Sequence, residues 1–133
     1  MTGMNGTRLW LITGALLGLA SVALGAFGAH GLRGHVSADL LAVWGTATDY
    51  MGLHAVAILI CGLWLLLRPA TPFIHPAGWA FLLGVLVFSG SLLAMVLTGL
   101  RGLGMMTPIG GVLLLSGWGL LAAGAWRVRE TAE

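Results

Sequence analysis

Charge is scarce in this chain. Its 133 residues hold six arginines, no lysine and four acidic side chains, so 8% are charged while 59% are hydrophobic. A soluble domain of this size needs about a quarter charged residues to cover its surface. Lipid must therefore surround most of the chain, and its length is to be read in membrane spans. The arginines are scattered and the net charge is only +2. With no basic run to neutralise a phosphate backbone, nucleic acid is a poor partner. Cysteine is nearly missing as well. The lone Cys61 sits in an apolar run, cannot close an internal disulfide, and reads as a small buried hydrophobe. No loop is built to cradle phosphate, and no nucleophile stands beside a base with a third orienting group. No catalytic residue is expected, and the chain is not read as an enzyme.

What is present is glycine, 22 residues of it, and four long apolar segments. After a short polar leader, residues 9–29 carry no charge and are long enough to cross about 30 Å of hydrocarbon. That run exceeds a signal-peptide core and no polar mature domain follows, so it is read as a retained span. Residues 30–36 form a glycine-punctuated turn. Ser37 is placed to cap a helix whose first turn holds Asp39. The helix opens with an amphipathic, interfacial stretch, 38–47, and crosses over 48–67. Three prolines between residues 68 and 76 make a loop. The third span is 77–99, a tight return follows, and the fourth span is 108–126, opened by Pro108. The expected fold is an all-α, four-helix transmembrane bundle with short loops.

Arg8, Arg68, Arg127 and Arg129 fall on the side of the termini, and Arg33 and Arg101 on the other. The excess of arginine places both termini in the cytoplasm, in a multi-pass protein of the inner membrane. Trp10, Trp64, Trp79 and Trp126 lie at the arginine-rich span ends, where interfacial anchors belong. Helices in lipid gain nothing hydrophobic from touching, so close approach through small residues must hold them. Gly14, Gly18, Ser21, Gly25 and Gly28 follow steps of four and three, a period of 3.5. Gly45, Thr48, Gly52, Ala55 and Gly62 continue the pattern with Leu59 as an exception, and Gly110, Gly117 and Gly124 are seven apart with Leu113 and Leu120 as knobs. The small faces are expected to meet inside the bundle. The tetrapeptide Gly-Leu-Arg-Gly recurs at 31–34 and 99–102, a faint sign of two repeated hairpins.

Polar residues gather toward the end of the bundle away from the termini. His54 lies about 20 Å from the end of its helix at Leu67, with Tyr50 one turn away on the same face. His30, Asp49, Ser89, Ser91, Arg101 and Thr107 complete the candidate cluster. An ionisable residue inside a span is a functional hypothesis by default, yet a neutral histidine can equally lock helices by hydrogen bonding. His35 and His75 read as solvated. Haem ligation would need two histidines at matching depth, and the histidine spacing offers no close metal-ligating pair, so neither cofactor nor metal is expected.

Four ordered motifs, GAFGAHGL at 25–32, Tyr50-x-x-x-His54-Ala55, FSGSL at 88–92 and TPIGG at 107–111, together resemble the YgdD/YwdK family of small four-helix inner-membrane proteins, which has mitochondrial relatives in animals. The resemblance runs from residue 8 to 127. It matches at Gly25, Gly28, His30, Tyr50, His54, Ser89, Gly90, Ser91, Thr107, Pro108 and Gly110, and departs at Met51, where members often carry glutamine. It implies four spans and brings no activity, substrate or cofactor. The functional expectation is an accessory or stabilising component of a membrane assembly, in contact with the lipid bilayer and with a membrane-protein partner or further copies of itself. The alternatives are a site for a lipid, quinone or proton at the polar end, built from His54, Tyr50, His30 and Arg101, and a homo-oligomeric transporter.

Overall fold

In lipid every backbone N–H and C=O must find a partner within the chain, and for apolar segments of this length the solution is the α-helix. A computed structural model describes residues 2–129, with side chains from Asn5 onward. Four helices account for nearly all of it: α1, Thr2–Phe27; α2, Ala38–Leu67; α3, Ile74–Thr98; and α4, Thr107–Trp126. A π-helical turn, Gly28–Leu32, prolongs α1, and a 3-10 turn, Arg101–Met106, leads into α4. Each helix is long and apolar enough to cross a membrane, and the described residues contain no strand beyond one isolated bridge between Arg33 and Val36. The protein is an all-α, four-helix membrane bundle.

The helix ends carry local signals. Ser37 Oγ accepts the Leu40 N–H at 3.2 Å, with Asp39 in the first turn beside the positive end of the dipole. Gly99 closes α3 in the left-handed region at φ 72°, its N–H on the Met95 carbonyl. α1 starts well before residue 9, because the leader is not loose: Gly6 lies against the His75 imidazole of α3, where a Cβ would stand 3.2 Å from Cε1. α3 starts at Ile74, since Pro76 falls in the first turn, where its missing N–H costs no helical bond. Residues 38–47 run directly into the rest of α2 and bury Trp44 and Ala47 against neighbouring helices.

Extensive packing joins α1 to α2, α2 to α3 and α3 to α4, each helix lying against the next in sequence. The seams correct the expectation that small faces meet small faces. Here glycine receives a large side chain. Gly117 faces the Phe81 ring, Gly124 faces Ile74, Gly84 faces Leu114 and Gly110 lies on the backbone of Phe88. Residues 74, 81 and 88 thus oppose 124, 117 and 110 in antiparallel heptad register, the repeat of left-handed pairs. A Cβ at Gly117 would sit 2.6 Å from the Phe81 ring, so the helices close in only because it is absent. Leu114, rather than Leu113, is the buried knob. In the first hairpin Leu59 fills the space over Gly14 and Leu11 that over Gly62, so the apparent exception at Leu59 is the complement of a glycine. Among the described glycines, only Gly18 with Ala55 and Gly52 with Ser21 pair small with small.

Large side chains on the outer faces, among them Leu16, Val22, Leu67, Leu86 and Leu115, stay exposed, as a lipid-bathed surface requires. Trp79 and Trp126 are exposed at the arginine-rich end, consistent with anchoring. Trp10 is not an anchor: it is fully buried, packed over Gly78 and edge-on to Trp79. The repeated Gly-Leu-Arg-Gly segments fold differently. Gly34 takes the positive φ in the first and Gly99 in the second, and π-helical and 3-10 turns occupy the corresponding places, so the tetrapeptide marks no shared conformation.

Candidate functional site

His54 is the centre of the candidate site. Position 54 on α2 faces inward between α3 and α4, and the residue is 2% exposed. Its Nδ1 lies 2.7 Å from the Tyr50 carbonyl, and the Trp118 indole N–H donates to its Nε2 at 3.0 Å. A carbonyl can only accept and an indole N–H can only donate. One protonation state satisfies both: the neutral ring with its proton on Nδ1. Protonating Nε2 as well would set two donors against each other. Phe81 and Trp118 flank the ring with centroids 5.6 and 5.8 Å away, and they pack edge-on to each other at 5.1 Å. Trp118 is eight residues from the end of α4, about 12 Å, which sets this bond near the middle of the apolar layer.

Tyr50 is one turn from His54 but does not share its burial. It is 42% exposed, stacked on Phe88 at 4.5 Å, and its hydroxyl makes no hydrogen bond among the described residues. Together Tyr50, His54, Phe88, Val112, Leu115 and Trp118 line a groove of about 520 Å³ between α2 and α4. The expectation that Tyr50 shares the face of His54 is corrected: it lies on the exposed wall of that groove.

The remaining candidates separate into two groups. Ser89 is fully buried and its hydroxyl donates to the Ala47 carbonyl at 2.7 Å, crossing from α3 to α2 instead of bonding within its own helix as serine in a span commonly does. Ser91 donates to the Phe88 carbonyl and meets the Thr107 hydroxyl at 2.8 Å, tying α3 to the first residue of α4. These three are interhelical fasteners. His30, Asp49 and Arg101 are exposed, and no hydrogen bond joins them to His54. The single polar cluster of eight residues is therefore not formed. Among the described residues no three His, Cys, Asp or Glu side chains converge where a metal ion could be held.

Three contributors are not singled out by the sequence: Trp118, Phe81 and Phe88. The phenylalanines are seven apart, opposite glycines seven apart on α4, which was the available signal. A tryptophan far from either interface must find an acceptor for its N–H, and His54 is the buried imidazole within reach. A fourth contributor is Trp44. Its ring occupies the place a Gly28 side chain would fill, and its indole donates to the Leu24 carbonyl at 2.7 Å, just ahead of the π-helical turn. The GAFGAHGL stretch is thus a packing device between α1 and α2. His75, expected to be solvated, accepts the Trp10 N–H at 2.7 Å on Nδ1 while remaining exposed.

The fold and this site define an integral membrane protein in which His54, Ser89 and Ser91 make helix-to-helix hydrogen bonds, with no buried side-chain donor or acceptor left unpaired among the described residues. The chain belongs to the DUF423 family: the family model, described as a protein of unknown function, matches residues 24–111. It is 45% identical over 114 residues to a UPF0382 membrane protein of Staphylococcus aureus strain bovine RF122, covering 86% of this chain and 92% of that one. A UPF0382 membrane protein of Staphylococcus saprophyticus is 39% identical over 121 residues, covering 91% and 99%. No solved structure matches the chain.

Proposed function

We propose that this protein works without catalysis, as an accessory or stabilising component of an inner-membrane assembly, with both termini in the cytoplasm, and that its family is the YgdD/YwdK group its motifs resemble. One observation supports this above others: the mid-membrane histidine has both ring nitrogens engaged, on a backbone carbonyl and an indole, and so acts as a fastener. A proton-handling or nucleophilic histidine needs a free nitrogen facing substrate or water. The orientation rests on the arginine excess at the end that carries both termini. The partner is another membrane protein, met through the exposed apolar faces of the outer helices. The test is purification of the native protein in two mild detergents. Recovery of one membrane protein in fixed ratio with this chain is expected, and a monomer without a partner in both would contradict the proposal. A reporter fused to the C-terminus tests the topology.

A second reading has its own observation in its favour. The groove beside Tyr50 has aromatic walls and an unbonded hydroxyl, suited to a flat apolar molecule such as a quinone. If that reading holds, Tyr50→Phe abolishes function without loss of folding. Unchanged function in that variant removes it.

A further inference from the structure

A second groove lies at the arginine-rich end, between the last two turns of α2 and the end of α4. It has a volume of about 460 Å³ and is lined by Ile60, Leu63, Trp64, Leu67 and Ala125, with Arg68 at its mouth. The α2 residues follow steps of three, one and three, so they form one continuous apolar wall about 10 Å long. Trp64 contributes its ring only, because its N–H is already given to the Thr71 hydroxyl at 3.2 Å. The wall suits a hydrocarbon chain lying along the helix. The mouth has different chemistry.

Arg68 follows the last residue of α2, Arg127 follows the last of α4, and Arg129 is two residues on. Arg127 is held over the Phe73 ring, 5.9 Å from its centroid, beside the loop that carries Arg68. Among the described residues no carboxylate lies at this end: Asp39 and Asp49 are in the half of α2 that starts at the opposite end. We propose that this groove binds an anionic phospholipid, with one acyl chain along the α2 wall and the phosphate on Arg68, assisted by Arg127. Guanidinium is suited to this because it presents paired donors to phosphate oxygens. The dipoles of the two helices that line the groove give no help. Both α2 and α4 end here, and C-terminal carbonyls repel an anion. Attraction must come from the arginine side chains, so the site depends on their charge. The inference is independent of the proposed accessory role, since a lipid can occupy the groove with or without a protein partner.

The experiment is native mass spectrometry of the purified, delipidated full-length protein in detergent with equal amounts of phosphatidylglycerol and phosphatidylcholine. Phosphatidylglycerol is expected to be retained in clear excess. Arg68→Gln should lower its retention about fivefold, the effect of one surface arginine, and leave phosphatidylcholine unchanged. Leu63→Trp, which fills the groove from an exposed position, should lower both. Arg33→Gln, at the opposite end, should change neither. Equal retention of the two lipids by the unaltered protein overturns the proposal, as does wild-type phosphatidylglycerol retention in Arg68→Gln. Should Arg68→Gln fail to fold, Arg127→Gln takes its place with the same expected direction. Displacement of the lipid by inorganic phosphate, or by a second copy of the chain, also overturns it.

Discussion

Two tryptophan–histidine hydrogen bonds join helices that are not neighbours in sequence, and they differ in which partner is buried. Near the termini, fully buried Trp10 on α1 donates to exposed His75 on α3. At mid-membrane, Trp118 on α4, 39% exposed, donates to buried His54 on α2. These bonds tie α1 to α3 and α4 to α2, across the sequential packing of each helix on the next. At the membrane end water can take the place of either partner. In the apolar layer it cannot, so the same pair of side chains should matter more at His54 than at His75.

The largest break in this comparison comes from separating α3 and α4, because Trp118 reaches His54 only while α4 lies close. At Gly110 an added Cβ meets the backbone of Phe88, which cannot rotate away. Gly110→Ala is expected to destabilise the bundle by about 3 kcal/mol, read as a lower unfolding midpoint in detergent or bicelles, and to change Trp118 fluorescence. His54→Ala comes next. It strands the Trp118 N–H and opens a cavity against Phe81, for about 2–3 kcal/mol. His54→Phe refills that space and should recover about half of the loss, which separates packing from hydrogen bonding.

His75→Ala should cost no more than about 1 kcal/mol, since water can reach the exposed side of that pair. An equal or greater loss than at His54 would reverse the comparison. Ser89→Ala removes the α3-to-α2 bond to the Ala47 carbonyl and should cost about 0.5–1.5 kcal/mol, the range for interhelical hydrogen bonds in membranes. Tyr50→Phe is the smallest change. Its hydroxyl has no partner, so the unfolding midpoint should stay within about 0.5 kcal/mol of the original. The larger stabilities are best compared in one detergent, because the unfolded reference state also finds partners.

Much of the bundle is legible in the sequence because lipid imposes strict demands. Four uncharged runs of spanning length leave little choice of fold, and Ser37, Asp39 and Gly99 mark helix ends by ordinary capping chemistry. The heptad spacing of Gly110, Gly117 and Gly124 revealed a seam. It did not reveal the occupant, because a glycine stripe says where a helix may be approached and not what approaches it. The depth of His54 could be counted from Leu67. Its partner could not, since Trp118 reads as one more apolar residue until α4 is placed in register with α2. Trp10 was misread for the same reason: counting residues gives depth, and only packing gives the face. Tyr50 and His54, one turn apart, read in sequence as one face, yet the groove edge passes between them and leaves one outside. His30, Asp49 and Arg101 share a membrane end with His54 without sharing its space, because depth alone does not bring side chains together.

The hydrogen bonds of His54 require a neutral ring with its proton on Nδ1. Nitrogen-15 NMR of histidine-labelled protein in bicelles at neutral pH, with His54→Phe to assign the signal, tests it directly. The expected result is a protonated Nδ1, an unprotonated Nε2, and a shift of the Nε2 signal in Trp118→Phe. A proton on Nε2, or a His54 spectrum indifferent to Trp118→Phe, would contradict it.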